Sequence, residues 1–237
     1  MSKKKKKKYN PKEYQEKDLL VPYHEVKLAK TTHVMDHPLV EHKINIMRNH
    51  KTNVSEFRSL LEEVTILLCY EAMRGLALED YEIVTPICKT IGKRISGKKL
   101  TVVPILRAGL GMEPAVKNVV PVSRTGHAGF FRDEKTLKPQ KYYWKLPRKI
   151  NKRQAFVLDP MLATGGTADA VIRKLKKKGC KSICFMCVIA APQGVEVLQD
   201  NHPDVELYIA HLDKGLNKYG YIVPGLGDAG DRIFGTK

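Results

Sequence analysis

The chain lacks the features that would tie it to a membrane or to an oxidising compartment. It has no apolar run long enough to span a bilayer. Its lysine-rich start, Lys3 to Lys8, is not followed by the apolar segment a secretory signal needs. Cysteine is scarce and odd in number, five in 237 residues, which argues against a disulfide framework. Cys184 and Cys187 form a C-x-x-C, but they lie in the apolar run Ile183 to Ala190, which reads as a buried strand. Residues three apart on a strand point to opposite faces and cannot share a metal ion. Acids are few as well: 25 Asp and Glu against 42 Lys and Arg leave a net charge of +17. Aromatic residues make up only 7% of the chain, and no aromatic-rich segment of the kind that stacks RNA bases accompanies the positive charge. The sign of the charge therefore suits an enzyme of polyanionic substrates as well as it suits a nucleic-acid binder. A cytoplasmic protein is expected.

What the chain does have is core-forming material. An apolar fraction of 43% over 237 residues suits one large domain with an appendage. The lysine run reads as the start of a solvated, disordered tail over residues 1–18, with the domain at 19–237. Helical patterning covers Met35–Met47 and Glu56–Met73, the second with Phe57, Leu60, Leu61, Val64, Leu67 and Leu68 on one side. Short strands are expected within Glu79–Lys98, a strand at Lys99–Leu106, a short helix at Met112–Val119 and a strand at Gly126–Phe131. A hairpin or mobile arm follows at Arg132–Pro147. Strands at Ala155–Leu158, Ser182–Ala190 and Val205–Ala210 alternate with helices that start near Ala168 and at Gln193. This alternation implies an α/β fold with a mainly parallel sheet and right-handed crossovers. Ligands of such sheets gather at the carboxyl ends of the strands.

The segment from Ala155 to Ile172 is the most telling. An apolar strand meets Asp159, a short loop closes on Thr164-Gly165-Gly166-Thr167, and Ala168, Val171, Ile172 and Leu175 then follow helical spacing. Glycines let backbone N–H groups turn into such a loop, and the positive end of the helix faces the same point. An ordinary tight turn is the plain alternative. The acid before the loop and the helix after it favour a phosphate cradle.

This block resembles the phosphoribosyl-diphosphate (PRPP) loop of type I phosphoribosyltransferases, and its form DPMLATGG is similar to the uracil branch of that family. Val103 to Met112 resembles the branch's diphosphate loop, and Tyr221 to Arg232 its uracil-binding segment. The matches stand in the family's order within a resemblance that covers about Leu20 to Lys237. The resemblance implies the type I phosphoribosyltransferase fold: a twisted, mainly parallel sheet flanked by helices, with a C-terminal base-binding hood and a protruding hairpin arm. It implies transfer of phosphoribosyl from PRPP to uracil, giving UMP and diphosphate in pyrimidine salvage.

Roles follow residue by residue. PRPP is expected at Arg107, Arg132, Asp159, Pro160, Met161, Leu162, Ala163, Thr164, Gly165, Gly166, Thr167 and Asp228. Within that set the 5′-phosphate falls to Ala163–Thr167, the ribose hydroxyls to Asp159 and diphosphate to Arg107. Uracil is expected at Ile222, Gly227, Asp228 and Ala229, with Asp228 and Arg107 catalytic. The family usually has a second acid where this chain has Pro160, so Mg²⁺ is expected to arrive on PRPP rather than on protein ligands. The resemblance also allows GTP as an activator and a dimer or tetramer, with no membrane and no specific nucleic acid as partner. His33 and His37 are read as structural or exposed.

Two motif matches are discounted. Gly225 to Gly230 fits G-x-G-x-x-G, but only seven residues follow, too few for the helix, second strand and acid that a dinucleotide site needs. Gly92 to Lys99 nearly fits a Walker A loop but ends in Lys99, where a magnesium-binding hydroxyl belongs.

Overall fold

A computed structural model describes residues 24–96, 99–132 and 139–236; the tail expected over residues 1–18 lies outside them. Strand β1 (Thr32–Val34) leads to helix α1 (Pro38–Arg48). The helix starts later than apolar spacing predicts because Pro38 sets its first turn, and His37 caps it by accepting from the Leu39 N–H at 3.1 Å. Helix α2 (Val54–Ala72) is capped by Asn53, whose side chain accepts from the Glu56 N–H at 3.0 Å. A hairpin of β2 (Leu78–Val84) and β3 (Lys89–Ile95) follows as a sheet of its own, in a region where only short strands were expected. Then come β4 (Lys99–Leu106), a 3-10 turn at Ala108–Gly111, α3 (Glu113–Val119), β5 (Arg124–Thr125), β6 (His127–Arg132) and β7 (Pro139–Lys145). The expected arm is the β6–β7 pair at the sheet edge, whose connection lies outside the described residues.

The second half runs β8 (Arg153–Leu158), β9 (Met161–Leu162), α4 (Gly166–Lys177), β10 (Ser182–Ala190), α5 (Pro192–Asn201), β11 (Glu206–Leu212), β12 (Gly215–Leu216), β13 (Ile222–Val223) and α6 (Ala229–Phe234). Among the described residues the main sheet has nine strands. Their order is β1-β11-β10-β8-β4-β6-β7, with β5 beside β4 and β9 beside β10. Its pairings are parallel except β6 with β7.

A parallel sheet covered on both faces needs apolar residues on both sides of each strand, and β8 and β10 meet that need. Phe156, Leu158, Cys184 and Met186 pack with α1, α2 and α3 on one face. Ala155, Val157, Phe185 and Cys187 pack with α4 and α5 on the other. Cys184 and Cys187 thus stand on opposite faces. Both are buried, and burial pushes their thiols well above the ordinary range. They are core residues.

Candidate active site

The carboxyl ends of β4 and β8 open into a cleft of about 370 Å³. One wall is the loop from Asp159 to Ala168, and the other is formed by Gly220–Ile222 and Gly227–Gly230.

The first wall begins with a break in a strand. β8 ends at Leu158, Asp159 and Pro160 step aside, and β9 resumes pairing with β10. Pro160 is buried, and its carbonyl accepts from the N–H groups of Val188 and Ile189, each at 3.1 Å. It is therefore an anchor behind the wall, not part of the cleft lining. The same kink presents Asp159 at the cleft floor, where it is only partly accessible. Burial pushes its carboxyl up to about 7, against the opposing effect of the Met161 N–H, 3.3 Å from its Oδ1.

Beyond β9 the chain turns at Gly165, which caps α4 with φ of 77°. A side chain there would be strained in backbone, and its Cβ would stand 2.9 Å from the Cβ of Val197. The first N–H groups of α4 have no partner within the helix, which leaves a ring of donors at Gly165–Ala168. The apolar face of α4 is the expected one: Ala168, Val171, Ile172 and Leu175 are buried. Gly166 carries one of these donors, although it does not line the cleft.

The opposite wall is built from backbone. Ile222 and Ala229 are buried, and Gly227 has φ of 76° with no atom within 4 Å of where a Cβ would sit. Asp228 caps α6 by accepting from the Asp231 N–H at 3.0 Å, and it is exposed to the cleft. Arg107 stands at the cleft's lip. A Cβ on Gly230 would lie 3.3 Å from Asp228 Oδ1 and 3.9 Å from Arg107 Nη2, so the two charged groups flank one glycine. Arg107 Nη2 is 3.6 Å from Asp231 Oδ1, and the guanidinium lies 5.9 Å from the centre of the Phe234 ring. Its side chain is 58% exposed. The neighbouring glycines serve packing. A Cβ at Gly109 would stand 2.3 Å from the Leu158 carbonyl oxygen, and one at Gly111 2.7 Å from Leu61. The side chain of Arg132 lies outside the described residues.

Sequence reasoning missed the groups that hold the second wall. Asp213 is fully buried and meets Arg48 through two bonds, 2.9 and 2.5 Å. Burial pushes the Asp213 carboxyl up, but the bonds from His211 and Arg48 outweigh it and hold the group below its usual range. Arg232 donates to the carbonyls of Met47, Leu226 and Asn49, and it lies over the Phe57 ring at 4.3 Å. Arg48 and Asp213 are 165 residues apart, so no local pattern joins them.

The model of a family described as uracil phosphoribosyltransferase matches residues 34–236. A uracil phosphoribosyltransferase of Finegoldia magna is 55% identical over 210 residues, spanning 89% of this chain and 100% of that protein. One from Agathobacter rectalis is 58% identical over 204 residues, 86% of this chain and 98% of the other. Among solved structures, the AQ2163 protein of Aquifex aeolicus superposes with a TM-score of 0.81 at 37% identity, covering 86% of this chain and 97% of that one.

Proposed function

The chain belongs to the uracil phosphoribosyltransferase family, and from that premise we propose how its two-walled cleft works. The protein joins N1 of uracil to C1′ of PRPP, releasing diphosphate and forming UMP. The observation that supports assigning the roles below is the meeting of a helix-capped donor loop with a backbone-lined wall in one cleft.

The 5′-phosphate sits on the N–H groups of Gly165–Ala168 and the hydroxyls of Thr164 and Thr167. Asp159 accepts from the ribose hydroxyls. Arg107 turns from the cleft's lip onto diphosphate and neutralises charge as the C1′–O bond breaks. Arg132 is proposed as a second arginine for PRPP. Positive charge grows on the ribose in the transition state, and the Asp228 carboxylate, beside Arg107 over Gly230, counters it. The cap occupies one Asp228 oxygen and leaves the other for substrate. No step requires a covalent enzyme intermediate; the work is positioning and electrostatics.

A magnesium ion held by protein ligands does not fit this site. Pro160 offers no carboxylate beside Asp159, and Mg²⁺ takes most of its ligands from water and substrate phosphates. Mg²⁺ accordingly enters as part of the substrate, on the oxygens of PRPP. The proposal also includes a cytoplasmic setting, a dimer or tetramer, and activation by GTP; sedimentation, and rates with and without GTP, test the last two.

Uracil offers acceptor O4, donor N3–H and acceptor O2, and a wall of backbone groups at Ile222, Gly227 and Ala229 can complement them. Cytosine reverses two of the three, and fixed backbone cannot flip to adapt. Each mismatched buried pair costs about 1–3 kcal/mol, so the preference for uracil is expected to be roughly 10³-fold or more. Steady-state UMP formation at saturating PRPP, with uracil, 5-fluorouracil and cytosine, tests this. Cytosine turning over within about tenfold of uracil would refute the base-reading role of this wall.

A further inference from the structure

Gly225 lies between Ile222 and Gly227 of the proposed base-reading wall, and both of its backbone polar groups are taken. Its N–H donates to Asp213 Oδ2 at 2.9 Å, and its carbonyl accepts from Arg48 Nη1 at 3.1 Å. The same arginine grips both carboxylate oxygens of Asp213. Gly225 has φ of 69°, and a Cβ on it would stand 2.2 Å from the Ile222 carbonyl oxygen, so the turn from Ile222 to Gly225 is already as tight as it can be. Asp213 is tied in its turn: its N–H donates to Ala190 at the end of β10, and its Oδ1 lies 3.3 Å from His211 Nε2. His211 Nδ1 reaches Glu41 on α1 at 2.9 Å. Arg48, Asp213 and Gly225 do not line the cleft.

An ion pair whose carboxylate is fully buried is costly to keep unless its geometry is needed. Apolar residues would fill the space behind the loop. They would not fix the orientation of the Gly225 peptide, because only a donor and an acceptor held at a set spacing can do that. Two residues on, open space stands where a side chain on Gly227 would be. The peptide before it is held at the Leu226 carbonyl by Arg232, so the wall's backbone is fixed at Gly225 by one arginine and at Leu226 by another.

We propose that Arg48 and Asp213 are positioning residues for base selection, clamping the Gly225 peptide so that the backbone from Ile222 to Ala229 presents a fixed pattern of donors and acceptors to the pyrimidine edge. This rests on the reading that this wall binds uracil. The phosphate-side loop has its own anchors, Pro160 and Leu162, which do not bond Arg48 or Asp213.

The test is a set of variants measured for the KM of uracil, the KM of PRPP and the uracil-to-cytosine ratio of kcat/KM. In Arg48→Lys a single ammonium cannot bond both Asp213 oxygens and the Gly225 carbonyl. Asp213→Asn keeps the shape but loses the charge. Each is expected to raise the KM of uracil at least tenfold, to leave the KM of PRPP within about twofold, and to lower the uracil-to-cytosine ratio at least tenfold. His211→Asn, at the partly exposed end of the network, shifts the same quantities the same way by about threefold and serves if the buried variants do not fold. The double variant Arg48→Lys with Asp213→Asn costs less than the product of the single effects, as expected of one unit. Equal rises in both KM values, or an unchanged ratio with weaker uracil binding, would overturn the inference. Gly227→Ala is the control for the wall itself. If it leaves the KM of uracil unchanged, the base-site reading has failed; if it raises the KM while Arg48→Lys and Asp213→Asn do not, the clamp has failed.

Discussion

Replacing Asp159 with asparagine tests whether this carboxylate is kept at the cleft floor for chemistry and at the fold's expense. In the free protein burial raises its carboxyl from an ordinary 3.8 to about 7. The fold therefore favours the neutral acid. That contribution to stability is fully present below pH about 4, is lost as pH rises through about 7, and stays lost above. At 1.36 kcal/mol per pH unit the whole span is on the order of 4 kcal/mol. Partial access to water at the cleft floor cuts this to about 2–3 kcal/mol. Asparagine keeps the shape and carries no charge, so Asp159→Asn should be more stable than the parent at pH 8 by about 1–3 kcal/mol and by only about a third of that at pH 5. For a chain of this size that is several degrees in Tm.

Activity should move the opposite way. An ionised carboxylate accepts two ribose hydroxyls, each charge-assisted bond being worth about 1.5–3 kcal/mol, and an amide oxygen replaces only part of that. The parent's kcat/KM for PRPP should rise with pH through about 7, as Asp159 ionises in the free enzyme, and the variant should lose that limb together with 10- to 100-fold in rate. Urea melts at pH 5 and pH 8, with initial rates across pH 5.5–9, read both effects. A stability difference between parent and variant that is the same at the two pH values would refute the burial argument. A variant that retains the limb would refute the assignment of the limb to Asp159.

Asp228→Asn preserves a good helix cap, so the melt should move by less than about 0.5 kcal/mol while kcat/KM falls by about 2–4 kcal/mol of transition-state stabilisation; melts and steady-state rates on one preparation separate the two. Arg107→Ala should raise the KM for PRPP and lower kcat while leaving the KM for uracil nearly unchanged, and an effect confined to uracil would overturn the diphosphate role. Gly165→Ala forces a left-handed backbone on a side chain that then meets Val197. It should cost about 1–3 kcal/mol of stability and weaken PRPP binding, measured by denaturant melts and by titration with PRPP.

The central strands and the turn from Asp159 into α4 were legible because their signals are local. β4 and β10 fall where the apolar runs place them, and α4 buries the four residues its spacing picks out. The ends of helices moved by a few residues wherever a cap or a proline decided, as His37 and Pro38 do for α1. β1 is three residues long and gains its pairing only from β11, nearly the whole chain away, so nothing near it marks it as a strand. β9 was hidden by Pro160, which reads as a break; here the strand resumes after it because the proline's carbonyl, not its missing N–H, joins the ladder. Gly109 and Gly111 lie beside Arg107 and suggest an approach for diphosphate, yet contacts with Leu158 and Leu61 explain both. A glycine's sequence neighbours cannot separate the need to admit a ligand from the need to admit another part of the chain.

Both walls of the cleft are referred to one strand. The carboxyl end of β10 donates from Val188 and Ile189 to Pro160 and from Ala191 just beyond it to Leu162, which fixes the start of the loop that leads into α4. The Ala190 carbonyl accepts from the N–H of Asp213, which holds Gly225 and thus the turn of the second wall. The reaction requires C1′ of the ribose and N1 of the base to meet at about 3–3.5 Å, and errors of an ångström are costly. Two loops hung on separate flexible supports would add their errors. Two loops keyed to adjacent residues of a single buried strand do not, because β10 is held on both sides, by β8 and by β11. This explains why the residues that set the site's dimensions stand behind the cleft wall and not in it. It also suits the diphosphate role proposed for Arg107, which stands at the exposed lip and outside that rigid frame.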